Sequence, residues 1–316
     1  MLATVQTRVQ EAISFKRIVI ATDFSDASQR AQAWGLAVAC RYGSEVYFVH
    51  ATPREARGPV PMDPLPKEID RRQLEAEGQM KILANGVRAT GIASHPIVKH
   101  DSVSTVIPSV IQEESIDLLV LGTHGRGGLK KLVLGSVAEE LLRLASCPVL
   151  TVGRNVEPLT GSRTIFGRIL FATDFGAGAA NALRYALFLA NEQSTSLVLL
   201  HMVPPMPAIM GPEVYAMPNC TAEELKGSKS TQRQESARKL KQILPRETEL
   251  VFEPEYVITT DFLPEGILAV AAEHKVGLIV MGANRTGSPR TAAHMPWTIV
   301  HRVISEARCP VLTVMA

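Results

Sequence analysis

No run of apolar residues in the 316-residue chain approaches the ~20 needed to cross a membrane as a helix. The opening stretch MLATVQTRVQEAISF has no basic region followed by an apolar core and a small-residue cleavage site, so no secretory leader is expected. Only four cysteines are present, without a CxxC pair or a metal-binding spacing. Cys147 and Cys309, in matching SCPVLTV and RCPVLTV segments, read as buried reduced thiols beside a strand. Excess charge is also missing. A net charge of +2 provides no broad attraction to nucleic acid or an acidic membrane, and Arg71-Arg72 and Lys130-Lys131 read as solvated faces. There is no GxSxG elbow, HExxH helix or DxD-like pair, and His294 and His301, seven apart around Pro296, suit a metal poorly. These absences point to a cytoplasmic protein with no metal site and no evident catalytic centre. The 46% apolar and 20% charged content is that of a globular chain.

What the sequence does have is a repeat. FKRIVIATDFS, residues 15–25, returns as FGRILFATDFG, residues 166–176, 151 positions later. Each copy opens on a β-branched apolar run suited to a strand buried on both faces. An alanine-rich helical segment follows, then a second apolar run, VYFVHA or LVLLHMV, which places His50 and His201 again 151 apart. After each comes a Pro-rich connection, a polar helix, a third strand (IVKHD or YVITTD), another helix and a fourth strand, DLLVLG or GLIVMG. A last helix leads to CPVLTV in both halves. Strands alternating with helices predict parallel sheets covered on both faces. The expected architecture is α/β, two tandem doubly wound domains with five parallel strands each, over residues 1–155 and 162–316. The polar segment NVEPLTGSRT is the linker. The fifth strands are predicted edges, and edges invite pairing. The two halves are therefore expected to join as an intramolecular pseudo-dimer, with room for a further homodimer.

The densest glycine signal is LGTHGRGGLKKLVLGSVAEELL, residues 121–142. Glycine leaves backbone N–H groups unshielded, so such a loop can wrap a phosphate. Gly135-Ser136 opens a helix, whose unpaired N–H groups and dipole favour an anion. The Walker form fails because Gly127 is followed by Gly128, and the dinucleotide fingerprint fails because the first strand leads into TDFSDAS. What remains is G-x2-G-x9-G-S, from Gly122, Gly125, Gly135 and Ser136. With that spacing after the fourth strand of a unit opening on ATDFS, the chain resembles the universal stress protein family in its tandem two-domain form. The resemblance implies ATP held beyond the carboxyl ends of the strands, in a regulatory role in stress response. It puts Asp23 on the adenine and ribose side and the backbone of Ala51 against the base. Gly122 and Gly125 would admit ribose and phosphate, while Gly135, Ser136 and Val137 would bind phosphate oxygens. Mg²⁺ would accompany the triphosphate, without a carboxylate cluster of its own. Elementary topology agrees, since Asp23, Ala51, Asp101 and Gly122 all end strands, where open α/β sheets bind ligands. Asp23 has a structural alternative, as Thr22-Asp23 can cap the next helix. Asp101, where the family usually has Gly, would narrow the pocket, and His124 and Arg126 project from the glycine loop.

The second half departs from this pattern. Asp174, Met202 and Gly282 match Asp23, Ala51 and Gly122, but Arg285 replaces the next glycine. Alignment on CPVLTV sets Trp297 and Thr298 against Gly135 and Ser136. An indole there should obstruct a phosphate, with Arg285 and Arg290 as substitutes for its charge partners. Phosphoryl transfer needs a positioned nucleophile, and none is evident, which allows slow ATP hydrolysis at most. The alternative to a nucleotide-binding protein is a dimerising interaction protein that binds no nucleotide.

Overall fold

A computed structural model describes residues 13–52, 66–123, 134–159, 164–203, 222–245, 248–261, 263–283 and 297–315. In the first half, β1 (Arg17–Ala21), α1 (Asp26–Tyr42), β2 (Glu45–Ala51), α2 (Pro66–Arg88) and β3 (Ser94–Lys99) follow in order. They continue into α3 (Val103–Glu113), β4 (Leu118–Gly122), α4 (Ser136–Leu144) and β5 (Val149–Val152). The second half repeats the series as β6 (Arg168–Thr173), α5 (Ala177–Glu192), β7 (Leu197–Met202), α6 (Ala222–Gln242) and β8 (Glu255–Thr259). It ends with α7 (Glu265–Glu273), β9 (Val276–Ala283), α8 (Trp297–Glu306) and β10 (Val311–Met315).

The strands form one sheet in the order β3-β2-β1-β4-β5-β10-β9-β6-β7-β8. Pairing within each half is parallel, and the only antiparallel seam among the described residues is β5 with β10. There Leu150 faces Leu312, flanked by Thr151 with Val311 and Val149 with Thr313. The two fifth strands thus cover each other's edge, and the halves are related by an approximate two-fold at that seam.

Alternation along the strands feeds two cores. In β1, Ile18 and Ile20 pack with Trp34, Val38, Met80 and Ala182 on the face covered by α1, α2, α5 and α6. Val19 points the other way, among residues of α3, α4, α7 and α8 such as Val110, Leu142, Val270 and Val303. All three are fully buried. That explains the unbroken apolar run: a strand covered on both faces has no position left for a polar residue. Both cores run without interruption through both halves. Aromatic contacts add to the seam, with Trp34 stacked on Phe166 and Phe15 edge-on to Phe188. No described helix is long and apolar enough to cross a membrane.

Candidate functional site

The repeated words ATDF and VH build the same local device in each half. Thr22 Oγ1 accepts the N–H of Phe24 at 3.1 Å, and Thr173 Oγ1 that of Phe175 at 2.9 Å. Asp23 Oδ1 accepts the N–H of Ser25 at 3.0 Å, and Asp174 Oδ1 that of Gly176 at 2.8 Å. Between these turns, Phe24 and Phe175 take positive φ angles of 62° and 61°. A bulky residue there is strained, and the two side-chain-to-backbone bonds hold it. The histidine of the neighbouring strand locks the turn: Nδ1–H of His50 donates to the Thr22 carbonyl at 2.8 Å, and that of His201 to Thr173 at 2.9 Å. Each imidazole also lies against the strained phenyl ring, at 4.8 Å for Phe24 and 4.2 Å for Phe175. The recurring histidines are therefore structural. Burial pushes the His201 imidazole below its usual range, keeping it neutral for this role.

The capping expectation needs correction. Ser25 is the N-cap of α1, its Oγ accepting the N–H of Ser28 at 3.3 Å. Asp23 orients that cap by accepting the Ser25 hydroxyl at 2.5 Å. The Thr22 hydroxyl donates to Ser28 Oγ at 3.2 Å, and the Ser28 hydroxyl donates in turn to the Ser25 backbone carbonyl at 2.8 Å. The pattern Ser-x-x-Ser ahead of the alanine-rich run was the available sequence signal.

Asp23, Ala51 and Gly122 come together at the carboxyl ends of adjacent strands β2, β1 and β4. The crevice between β1 and β4 is where the order of connections reverses, the position at which α/β sheets bind ligands. Ala51 is half-buried at its mouth, next to Thr52, whose N–H pairs with the Lys99 carbonyl at 3.0 Å and whose hydroxyl meets His100 Nδ1 at 3.0 Å. Asp101 turns its carboxylate onto the Ser102 N–H at 2.7 Å. Across the crevice the Gly135 N–H donates to the Thr123 carbonyl at 2.8 Å, pinning the start of α4 to the end of β4. That N–H is consequently committed. The first intrahelical bond runs from Glu139 N–H to the Gly135 carbonyl at 2.9 Å, and Gly135 provides no side-chain cap. The N–H groups of Ser136, Val137 and Ala138 consequently have no acceptor among the described residues. Gly125, His124 and Arg126 lie outside the described residues.

Gly122 has a second reason to lack a side chain. A methyl there would meet the Ala27 carbonyl oxygen at 2.7 Å and the Ser28 nitrogen at 3.2 Å, so α1 rests directly on the end of β4. Among the described residues no group of three or more His, Cys, Asp or Glu is placed to hold a metal ion.

A family model described as the universal stress protein family matches residues 14–153 and again 166–315. The chain belongs to the universal stress protein family. A universal stress protein of Methanocaldococcus jannaschii is 32% identical over 144 residues, spanning 44% of this chain and 82% of the relative. One from Thermus aquaticus is 33% identical over 143 residues, 44% of this chain and 98% of its own length. The crystal structure of a universal stress protein from Archaeoglobus fulgidus aligns over 95% of this chain and 98% of that one, with a TM-score of 0.64 at 20% identity. That structure speaks for the fold.

Within this universal stress protein the second half has a larger side chain, Met202, where the first half has Ala51. Met202, matching half-buried Ala51, is 6% exposed, and its thioether lies against Gly266 at the start of α7. The first-half residue at the position of Gly266, taking Glu113 with Glu273, is Val106. Small-then-large has become large-then-small, and the methionine takes the volume beyond β7. Gly282 repeats the packing of Gly122, with α5 backbone at Gly178 and Ala179 pressed even closer.

Trp297 does not behave as its alignment with Gly135 suggests. Its indole N–H donates to Glu139 Oε1 of the first half at 3.2 Å, and the Arg143 guanidinium lies 4.7 Å from the ring centroid. The ring is committed to α4 of the first half, across the seam. Arg285, Arg290 and His294 lie outside the described residues. Glu139 and His301, which meet at 3.7 Å in the same contact, carried no sequence signal, because each is an ordinary polar position on an amphipathic helix.

Proposed function

We propose that the first half binds ATP, with Mg²⁺ carried on the triphosphate, and that the chain is a nucleotide-dependent regulatory protein of the stress response. One observation carries this reading: the three N–H groups of Ser136, Val137 and Ala138, without acceptors among the described residues, open beside the β1–β4 crevice. A helix N-terminus favours an anion by about 0.3–2 kcal/mol, and Gly135 brings no side chain of its own to the start of α4. Asp23 and the Ala51 backbone would face the adenosine end, with Gly122 and Gly125 along the ribose and phosphates. Ser136 would add its hydroxyl, and Val137, 46% exposed, its N–H. Mg²⁺ would take its ligands from phosphate oxygens and water, as is usual for this ion. No described side chain is placed as a general base for an attacking water, so hydrolysis would be slow at most. The buried thiols suit a cytoplasmic setting, and a homodimer would have to use a surface other than the sheet seam.

Denaturing the purified chain and identifying released nucleotide by mass spectrometry tests this directly, with one adenine nucleotide per chain expected. Titration calorimetry with Mg²⁺-ATP should give the same stoichiometry. A chain that releases none and takes up none at millimolar ATP is an interaction protein instead, and a turnover assay would expose any hydrolysis.

A further inference from the structure

We propose that Trp297 and His301 of the second half are positioning residues for the nucleotide-binding end of α4, acting through Glu139. This rests on the nucleotide reading of the first half.

Glu139 is the acidic residue in the first turn of α4. A carboxylate free to swing there would lie one turn from the N–H groups of Ser136 to Ala138 and repel an incoming phosphate. It is not free to swing. Oε1 accepts the Trp297 indole N–H at 3.2 Å and the Arg143 guanidinium at 3.0 Å, and Oε2 lies 3.7 Å from His301 Nε2. Arg143 also covers the indole face, so the ring is clasped by a carboxylate at its edge and a cation on its face. Burial opposes charge on Glu139, yet the indole N–H, the guanidinium and His301 together hold its carboxyl below the usual range. The carboxylate therefore stays charged, and its charge is directed across the seam.

The divergence of the second half is what makes this contact. Trp297 and His301 are the counterparts of Gly135 and Glu139, each 162 positions later. A faithful copy of the first half would bring glycine and glutamate to the seam. Glycine offers no N–H at the end of a side chain, and glutamate would set carboxylate against carboxylate. The substitutions that removed the phosphate motif from the second half thus serve the motif in the first. The second half acts as a brace for a site it no longer carries itself.

The test uses the full chain with three variants: Trp297→Phe, which keeps the ring and loses the N–H; His301→Glu, which restores the opposed carboxylates; and His301→Glu with Glu139→Gln. Hydrogen exchange of the α4 amides without nucleotide, and Mg²⁺-ATP titration, are read on each. Trp297→Phe should speed exchange of the hydrogen-bonded α4 amides from Glu139 onward and weaken ATP about fivefold, a fraction of one hydrogen bond to a charged group. His301→Glu should weaken it about tenfold, and adding Glu139→Gln should recover most of that loss, because the amide carries no charge to repel. Unchanged α4 exchange in both single variants overturns the proposal, as does faster exchange with unaltered ATP affinity or a double variant no better than His301→Glu. Wild-type chain that binds no ATP overturns the underlying reading, and the proposal with it, a failure distinct from loss of effect in the variants.

Discussion

A methyl group added at Gly282 should destabilise the protein more than one added at Gly122, although only Gly122 lies in the half with the phosphate motif. At Gly122 the new Cβ would sit 2.7 Å from the Ala27 carbonyl oxygen and 2.8 Å from its carbon, about 0.7 Å inside ordinary contact. At Gly282 it would press still harder on the Gly178 carbonyl and the Ala179 nitrogen. The obstacles are helix backbone in both cases, so no rotamer change relieves them, and the helix must move off the strand. Overpacking of this kind costs about 1–3 kcal/mol, with Gly282→Ala near the top and Gly122→Ala near the middle. Lower entropy of the unfolded chain returns roughly 0.4–1 kcal/mol to each. Net losses of about 2 and about 1 kcal/mol remain. At roughly 2–4 °C per kcal/mol for domains of this size, Gly282→Ala should melt about 4–8 °C low and Gly122→Ala about 2–4 °C low. Thermal melts followed by circular dichroism, with urea titrations at 25 °C as a check, provide the numbers. Equal stability to wild type in both variants, or a greater loss at Gly122, would refute the packing argument and leave these glycines to be explained by ligand approach alone.

Met202→Ala should cost about 2–4 kcal/mol through the cavity it leaves, and adding Gly266→Val should return about 1 kcal/mol or more; simple additivity in the double-mutant cycle would disprove the exchange of volumes. Because the His201 imidazole is depressed in the folded state, the unfolded chain binds its proton first. Stability should then fall as pH drops below the ordinary histidine value of ~6.5. His201→Asn, which can still donate to the Thr173 carbonyl, should flatten that part of the profile in urea melts between pH 7 and 5.5. Burial drives the Cys147 and Cys309 thiols up to about 12, so iodoacetamide at pH 8 should modify exposed Cys40 and spare both under native conditions. Rapid native labelling of either buried thiol, read by peptide mapping, would contradict the core packing.

The architecture was legible because its signals are local and were written twice. RIVIA and RILFA are apolar without interruption since the strands have a helix layer on each face, and the 151-residue offset exposes the duplication. The strand ends were equally legible, as Ala51 and Gly122 close β2 and β4 and Asp23 stands just beyond β1. What escaped depends on contacts between distant segments. The register placed Trp297 opposite Gly135, but only packing across the seam decides where an indole turns, and here a carboxylate of the other half decides it. In the same way Gly122 announced open backbone without saying whether a ligand or α1 approaches it. Ser25 rather than Asp23 caps α1 because the chain makes one more turn, through the positive φ of Phe24, before the helix begins.

The antiparallel seam of β5 and β10 also governs behaviour on dilution. Two separate chains joined by such a seam would part when their concentration fell below the dissociation constant. Here the lobes are tethered by the short segment between β5 and β6, so each sees the other at an effective concentration of order millimolar however scarce the protein becomes. The joined arrangement is thereby insulated from expression level, and a cell making few copies would hold the lobes together as firmly as one making many.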